Sequence, residues 1–172
     1  MLLENMAKGG LHVINESIDG RTTGFDSGQL NGRKFFKQIL DLYPAVDSVI
    51  FFLGTNDFKT QYGSVSPEQT ASNIMEMIES MQARNRQIKR ILLTPPPVAP
   101  NGNMTEDAAV KVAELASLLH QVGVKNKAPV LDLYSKLKPA RHLADDGVHL
   151  NGKGRKVVAS LVYRHLCKAF TP

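Results

Sequence analysis

Cysteine is nearly absent: Cys167 stands alone in 172 residues. One thiol rules out an internal disulfide, and beside Leu166 and Phe170 on a helical pattern it reads as inert packing. No apolar run reaches the roughly 20 residues of a membrane-spanning helix, so no membrane span is expected. No secretory leader opens the chain, and the expected location is cytoplasmic. A basic stripe studded with aromatics, the mark of nucleic-acid binding, is also missing. Net charge is +5, but the Lys and Arg are spread along the chain. Their densest groups, from Arg84 to Arg90 and at Lys125 and Lys127, stand where helices should run into strands and where cations are favourable. No Cys, Asp or Glu stands at ligand spacing from His12, His120, His142 or His165, so no metal is expected. No Gly-rich turn ends in Lys-Ser or Lys-Thr to cradle a phosphate, and no cofactor is expected.

What remains is an ordinary composition, 42% hydrophobic and 22% charged, in a chain long enough for one domain with a proper core. There are no repeats, low-complexity tracts or linkers, so residues 1–172 form a single domain. Short apolar runs alternate with helical patterns. Strands are expected at Leu11–Ile14, Asp47–Leu53, Ile88–Thr94 and Ala128–Leu133. Gly32 to Leu42 reads as a helix with Phe35, Phe36, Ile39 and Leu40 on one face and Pro44 as its stop. Ser66 caps the next helix with Pro67 at its first position, and Ile74, Met77, Ile78 and Met81 continue its buried face. Thr105 is expected to cap a helix reaching Val122, with Val112, Leu115, Ala116 and Leu119 inward. Gly152 to about Ala169 closes the chain. Such alternation means a three-layer α/β fold, a parallel sheet with helices on both faces and ligands beyond the carboxyl ends of its strands.

The start breaks this order. Met1 to Lys8 reads as a helix capped by Gly9-Gly10, and a helix leading into a parallel strand should itself follow a strand. None precedes it, and Met1 reads as an internal methionine serving as a start.

Two motifs fall at the expected carboxyl rim. Gly54-Thr55-Asn56-Asp57 follows the apolar run Val49–Leu53, and the Asn56 amide can donate to an oxyanion. Asp146-Gly147-Val148-His149 places a carboxylate three residues before an imidazole, and Asp146 can orient His149 as a general base. Taken singly, each is also what a surface turn would show: a turn-stabilising Asn, or an Asx turn before a glycine. Asp57 is expected to anchor its own turn by accepting backbone N–H bonds.

At these residues the chain resembles the SGNH (GDSL-type) hydrolases, especially their arylesterase-like and acetyl-ester-cleaving branch. Of four family blocks, three are matched. Val13-Ile14-Asn15-Glu16-Ser17-Ile18-Asp19-Gly20-Arg21-Thr22-Thr23 resembles the second, which implies an oxyanion-hole N–H from Gly20. Gly54 to Asp57 resembles the third, implying Asn56 as the other donor with Thr55 and Asp57 in support. Asp146 to Leu150 resembles the last, implying Asp146 and His149 as triad partners. Leu92-Leu93-Thr94-Pro95-Pro96-Pro97 also looks like this branch. The first block, Gly-Asp-Ser-Leu after a strand, has no match, so the nucleophile is expected to be absent. Ser27, in Phe25-Asp26-Ser27-Gly28, lacks the strand-to-helix turn a nucleophile needs, and Ser17 reads as a local hydrogen-bonding residue. Arg21, Lys59 and Arg141 could line a pocket, with solvated surface the default reading.

The resemblance implies a serine ester hydrolase acting on a small ester with a short acyl group, on a flavodoxin-like sheet whose first strand is missing. The alternative is a non-catalytic α/β module that binds a ligand or partner with the old site. Loss of an inner strand should leave strand edges that pair directly or exchange segments, so a homo-oligomer is expected.

Overall fold

In the computed structural model the described residues are 2–7, 10–25, 30–62, 65–99 and 103–170. Helix α1 (Leu2–Ala7) is followed, after an extended segment, by α2 (Gly32–Leu42), strand β1 (Ser48–Phe51), α3 (Pro67–Arg84), β2 (Lys89–Leu93) and α4 (Ala108–Lys125). Strand β3 (Val130–Leu131) then leads to two single-turn helices, α5 (Leu133–Lys136) and α6 (Pro139–His142), and to α7 (Gly152–Phe170). The three strands form a parallel sheet in the order β1-β2-β3. Ile50 lies beside Ile91, and Leu92 beside Val130.

Successive strand residues face opposite layers. Phe51 and Leu92 point into the larger core with Phe36 and Leu40 of α2, the α3 stripe Ile74, Met77, Ile78 and Met81, and Val112, Leu115 and Leu119 of α4. The Phe36 and Phe51 rings meet at 5.2 Å between centroids, tilted by 56°, a favoured aromatic geometry. Ile91 and Leu93 point the other way, against Leu133, Leu137, Val162 and Leu166, with Leu3 and Leu11 at the margin. This second layer stops short of β1: Ile50 is 36% exposed and Phe52 39%. The outer edge of β1 has no ladder partner among the described residues.

Local signals hold at most helix ends. The Ser66 hydroxyl accepts the Gln69 N–H at 3.2 Å, and Pro67 opens α3. The Asn31 side chain caps α2 by accepting the Lys34 N–H at 3.1 Å. Three expectations need correction. Leu11–Ile14 is not a strand. The Val13 N–H goes to Glu4 Oε1 at 2.8 Å instead, since a ladder needs a neighbour and none lies alongside among the described residues; the segment does not pair with β1. Helix α4 begins at Ala108 after Asp107, not after Thr105, because the Thr105 N–H is held by the Phe58 carbonyl at 3.0 Å. The Ala128–Leu133 run keeps only two strand residues, cut short where the Asp132 side chain caps α5.

Candidate active site

Three rim segments converge. Past β1, a tight 3-10 turn (Thr55–Phe58) carries Asn56 and buries Asp57. Past β2, the Thr94 hydroxyl receives the N–H groups of Leu133 and Tyr134 at 2.8 and 2.9 Å, tying the β2 and β3 ends together. The chain then runs to Ala99, whose N–H donates to the Gly147 carbonyl at 2.8 Å. That bond seats the loop between α6 and α7. An antiparallel bridge of Leu143 with Leu150 closes the loop at its base. Gly147 sits at φ +70°, and a Cβ there would lie 2.2 Å from the Ala99 carbonyl oxygen. Only glycine allows that approach.

Within this loop both Asp146 oxygens are engaged. Its Oδ1 accepts the N–H groups of Val148 and His149, each at 2.9 Å, as in an Asx turn. Its Oδ2 stands 2.6 Å from His149 Nδ1. Chiefly the Val148 N–H, then the imidazole, hold the Asp146 carboxyl down at about 2. It stays ionised at neutral pH and can accept an Nδ1 proton, an arrangement that leaves the Nε2 lone pair of a neutral ring free.

His149 Nε2 faces Asp19 Oδ1 at 3.8 Å, too far for a hydrogen bond. Gly20, at φ +76°, follows Asp19, and the Arg21 carbonyl accepts from Asn56 Nδ2 at 3.0 Å. Asp146, His149, Asp19, Gly20, Arg21 and Asn56 thus form one linked chain of contacts along the rim. The Arg21 side chain is buried, its guanidinium 4.3 Å over the Phe35 ring and donating to the Glu16 carbonyl. Burial pushes its pKa down. Lys59 is held in a bridge with Met104. Arg141 borders an open depression with Asn151, Lys153 and Lys156 at the start of α7.

Asp57 accepts its own backbone N–H within the turn and also reaches further. Beyond its own turn it spans to a segment 34 residues earlier: the Thr23 N–H donates to both carboxylate oxygens at 3.1 and 3.0 Å, and the Thr23 hydroxyl to Oδ1 at 2.5 Å. Asn73 of α3 donates to the same hydroxyl at 2.9 Å. Burial raises the Asp57 carboxyl to about 6, against the opposing pull of the Thr23 donors. Thr23 closes the block that begins at Val13, but no spacing rule could have found its contact with Asp57, nor Asn73. The proximity of Asp19 to the imidazole was also missed, though its place beside Gly20 was a usable signal. The Ser17 N–H bonds Asn15 Oδ1 at 3.2 Å, a local turn. Ser27 lies outside the described residues. Among the described residues no hydroxyl or thiol bonds His149 Nε2, no cluster of His, Cys, Asp and Glu suits a metal, and no helix is long and apolar enough to cross a membrane.

Residues 2–157 match the model of the GDSL-like lipase/acylhydrolase family. The fold is similar to that of a carbohydrate acetylesterase family member from Sinorhizobium meliloti, at TM-score 0.82 and 20% identity over 97% of this chain and 84% of that one. It is similar to the native aryl esterase of M. smegmatis, at 0.81 and 22% over 97% and 83%. A lipase/acylhydrolase from Enterococcus faecalis matches at 0.76 and 24% over 99% and 85%. No curated protein matches the chain.

Proposed function

Since the chain belongs to the GDSL-like lipase/acylhydrolase family, we propose that Asp146 and His149 are the acid and base of a serine ester-hydrolysing triad. The 2.6 Å carboxylate–imidazole contact, with Nε2 3.8 Å from Asp19, the residue before Gly20, is the observation that carries this reading. Short acyl esters, acetates of sugars or simple alcohols, are the substrate class proposed. The solved acetylesterase and aryl esterase folds support it.

In this reading a serine Oγ attacks the acyl carbonyl while His149 Nε2 takes its proton. The carbonyl electrons move onto oxygen, where the Gly20 N–H and the Asn56 amide donate. Collapse expels the alkoxide, which takes the proton from His149, and an acyl-serine remains. Water then attacks this ester, His149 again takes the proton, and collapse releases the acid and returns the proton to serine.

The serine of the family's Gly-Asp-Ser block is not in the sequence. The 172-residue chain by itself is therefore expected to hydrolyse p-nitrophenyl acetate little above background. An oxyanion hole and binding alone leave about 10³–10⁴-fold over water in triad enzymes, so a small residual rate fits. Robust turnover abolished by Ser27→Ala would overturn this assignment and make Ser27 the nucleophile.

A further inference from the structure

A buried carboxylate at the edge of the site has no part in the chemistry above. Asp57 and Thr23 have no exposed surface and Asn73 is 1% exposed, yet all three are polar and bonded in series, with Gln69 Nε2 donating to Asn73 Oδ1 at 3.1 Å. Burying a charge is costly, and isolated ones are avoided. What this one does is visible from its neighbours. Two cross-links run side by side between residues 20–23 and the turn after β1: Asn56 to the Arg21 carbonyl, and Thr23 to Asp57. The first involves the proposed oxyanion donor itself. The second pins the same two segments one residue further along the turn.

We propose that Asp57, acting through Thr23, is the positioning residue that holds Gly20 in register with Asn56, and that it does so in its ionised form. This deepens the reading of Gly20 and Asn56 as oxyanion donors and rests on it.

The chemistry of the contacts sets the charge state. Thr23 presents two donors, its N–H reaching both carboxylate oxygens and its hydroxyl reaching one. An ionised carboxylate is acceptor-only and can take all of these donors, whereas a protonated one carries an O–H donor on one oxygen and loses acceptor capacity there. An asparagine would turn an NH₂ toward one of these donors, and a protonated Asp57 would turn an O–H. The Thr23 hydroxyl cannot simply rotate away, since its oxygen already accepts from Asn73.

Charged groups on the surrounding elements are engaged elsewhere. Arg33 of α2 pairs with Glu76 of α3 at 2.7 Å, and Arg21 donates to the Glu16 carbonyl. From α3, Thr70 adds a neutral side-chain contact. Asp57 is thus held by neutral donors against its own burial, which brings its titration to about 6. Below that pH the cross-link loosens and Asn56 and Gly20 lose their register.

The test is a pH series of ¹H–¹⁵N spectra on the 172-residue chain. The Thr23 and Gly20 amides and the Asn56 side-chain NH₂ should shift together with one midpoint near 6. In Asp57→Asn that transition should vanish, with these resonances fixed near their acid positions. Thr23→Val keeps the N–H bond but loses the hydroxyl donor, so the shared midpoint should move upward; this variant carries the test if Asp57→Asn does not fold. Asn56 and Gly20 signals that stay flat while Thr23 titrates, or a midpoint that survives in Asp57→Asn, would overturn the inference. None of these readouts uses ester hydrolysis. A flat titration in a chain whose triad proves active removes this inference alone, and a clear titration with an inactive triad removes only the catalytic reading.

Discussion

Replacing Gly147 with alanine should cost this protein about 2–5 kcal/mol of stability. The backbone there sits at φ +70°, and a left-handed conformation costs an L-residue about 1–2 kcal/mol. The added Cβ would also lie 2.2 Å from the Ala99 carbonyl oxygen and 3.0 Å from its Cβ. A backbone oxygen cannot swing aside as a side-chain tip can, so the loop must move. Forced overpacking costs about 1–3 kcal/mol, and the move endangers the 2.8 Å bond from Ala99 N–H to the Gly147 carbonyl. Against a typical total of about 5–15 kcal/mol, the loss would be plain in urea unfolding as a lower midpoint at unchanged slope. Gly152→Ala is the control: it opens α7, and nothing lies within 4 Å of its Cβ. There the change should be neutral or stabilising by up to about 1 kcal/mol. A Gly147→Ala loss below about 0.5 kcal/mol would refute the close approach of the two rim loops and the seating of His149 that depends on it.

Stability should also fall as pH rises from about 4 to about 6. Asp57 is held above its ordinary 3.8, at about 6, so the folded state keeps a proton that the unfolded chain has released. A shift of this size is worth about 3 kcal/mol. Urea titrations should show that slope in wild type and not in Asp57→Asn; a wild-type slope of the opposite sign in this window would contradict the burial of an ionisable Asp57. The proposed site thus works in the charge state that the fold favours less, a stability–function trade. Ser66→Ala should cost about 1 kcal/mol by removing the α3 cap, and an unchanged urea midpoint would show the cap to be idle. The open edge of β1 with Ile50 and Phe52 beside it predicts self-association. Light scattering should report a mass that rises with concentration and reverts to monomer in Ile50→Lys, whereas a monomer throughout would contradict it.

Helix periodicity was readable because a long amphipathic stripe is local. Ile74, Met77, Ile78 and Met81 all proved buried, as did Val112, Leu115 and Leu119. Strands were less legible, because an apolar run reports burial and not a ladder. Leu11 does pack on the core while its segment forms no strand, and Val130–Leu131 is all that remains of a six-residue run. At the site, the Asp146–His149 contact was readable since three residues separate the partners. The reach of Asp57 to Thr23 and Asn73 was not, because those contacts exist only after the sheet brings the β1 turn against α3 and the Gly20 segment.

The claim that Asp146 and His149 form the base end of an esterase site is tested most directly by supplying what they would activate. A chain extended at its start with an apolar strand ending in Gly-Asp-Ser should hydrolyse p-nitrophenyl acetate far faster than the 172-residue chain. His149→Ala in that extended protein should return the rate to background, and Asp146→Ala should lower it strongly. An extended chain that folds and stays at background, or one whose turnover survives His149→Ala, would contradict the account.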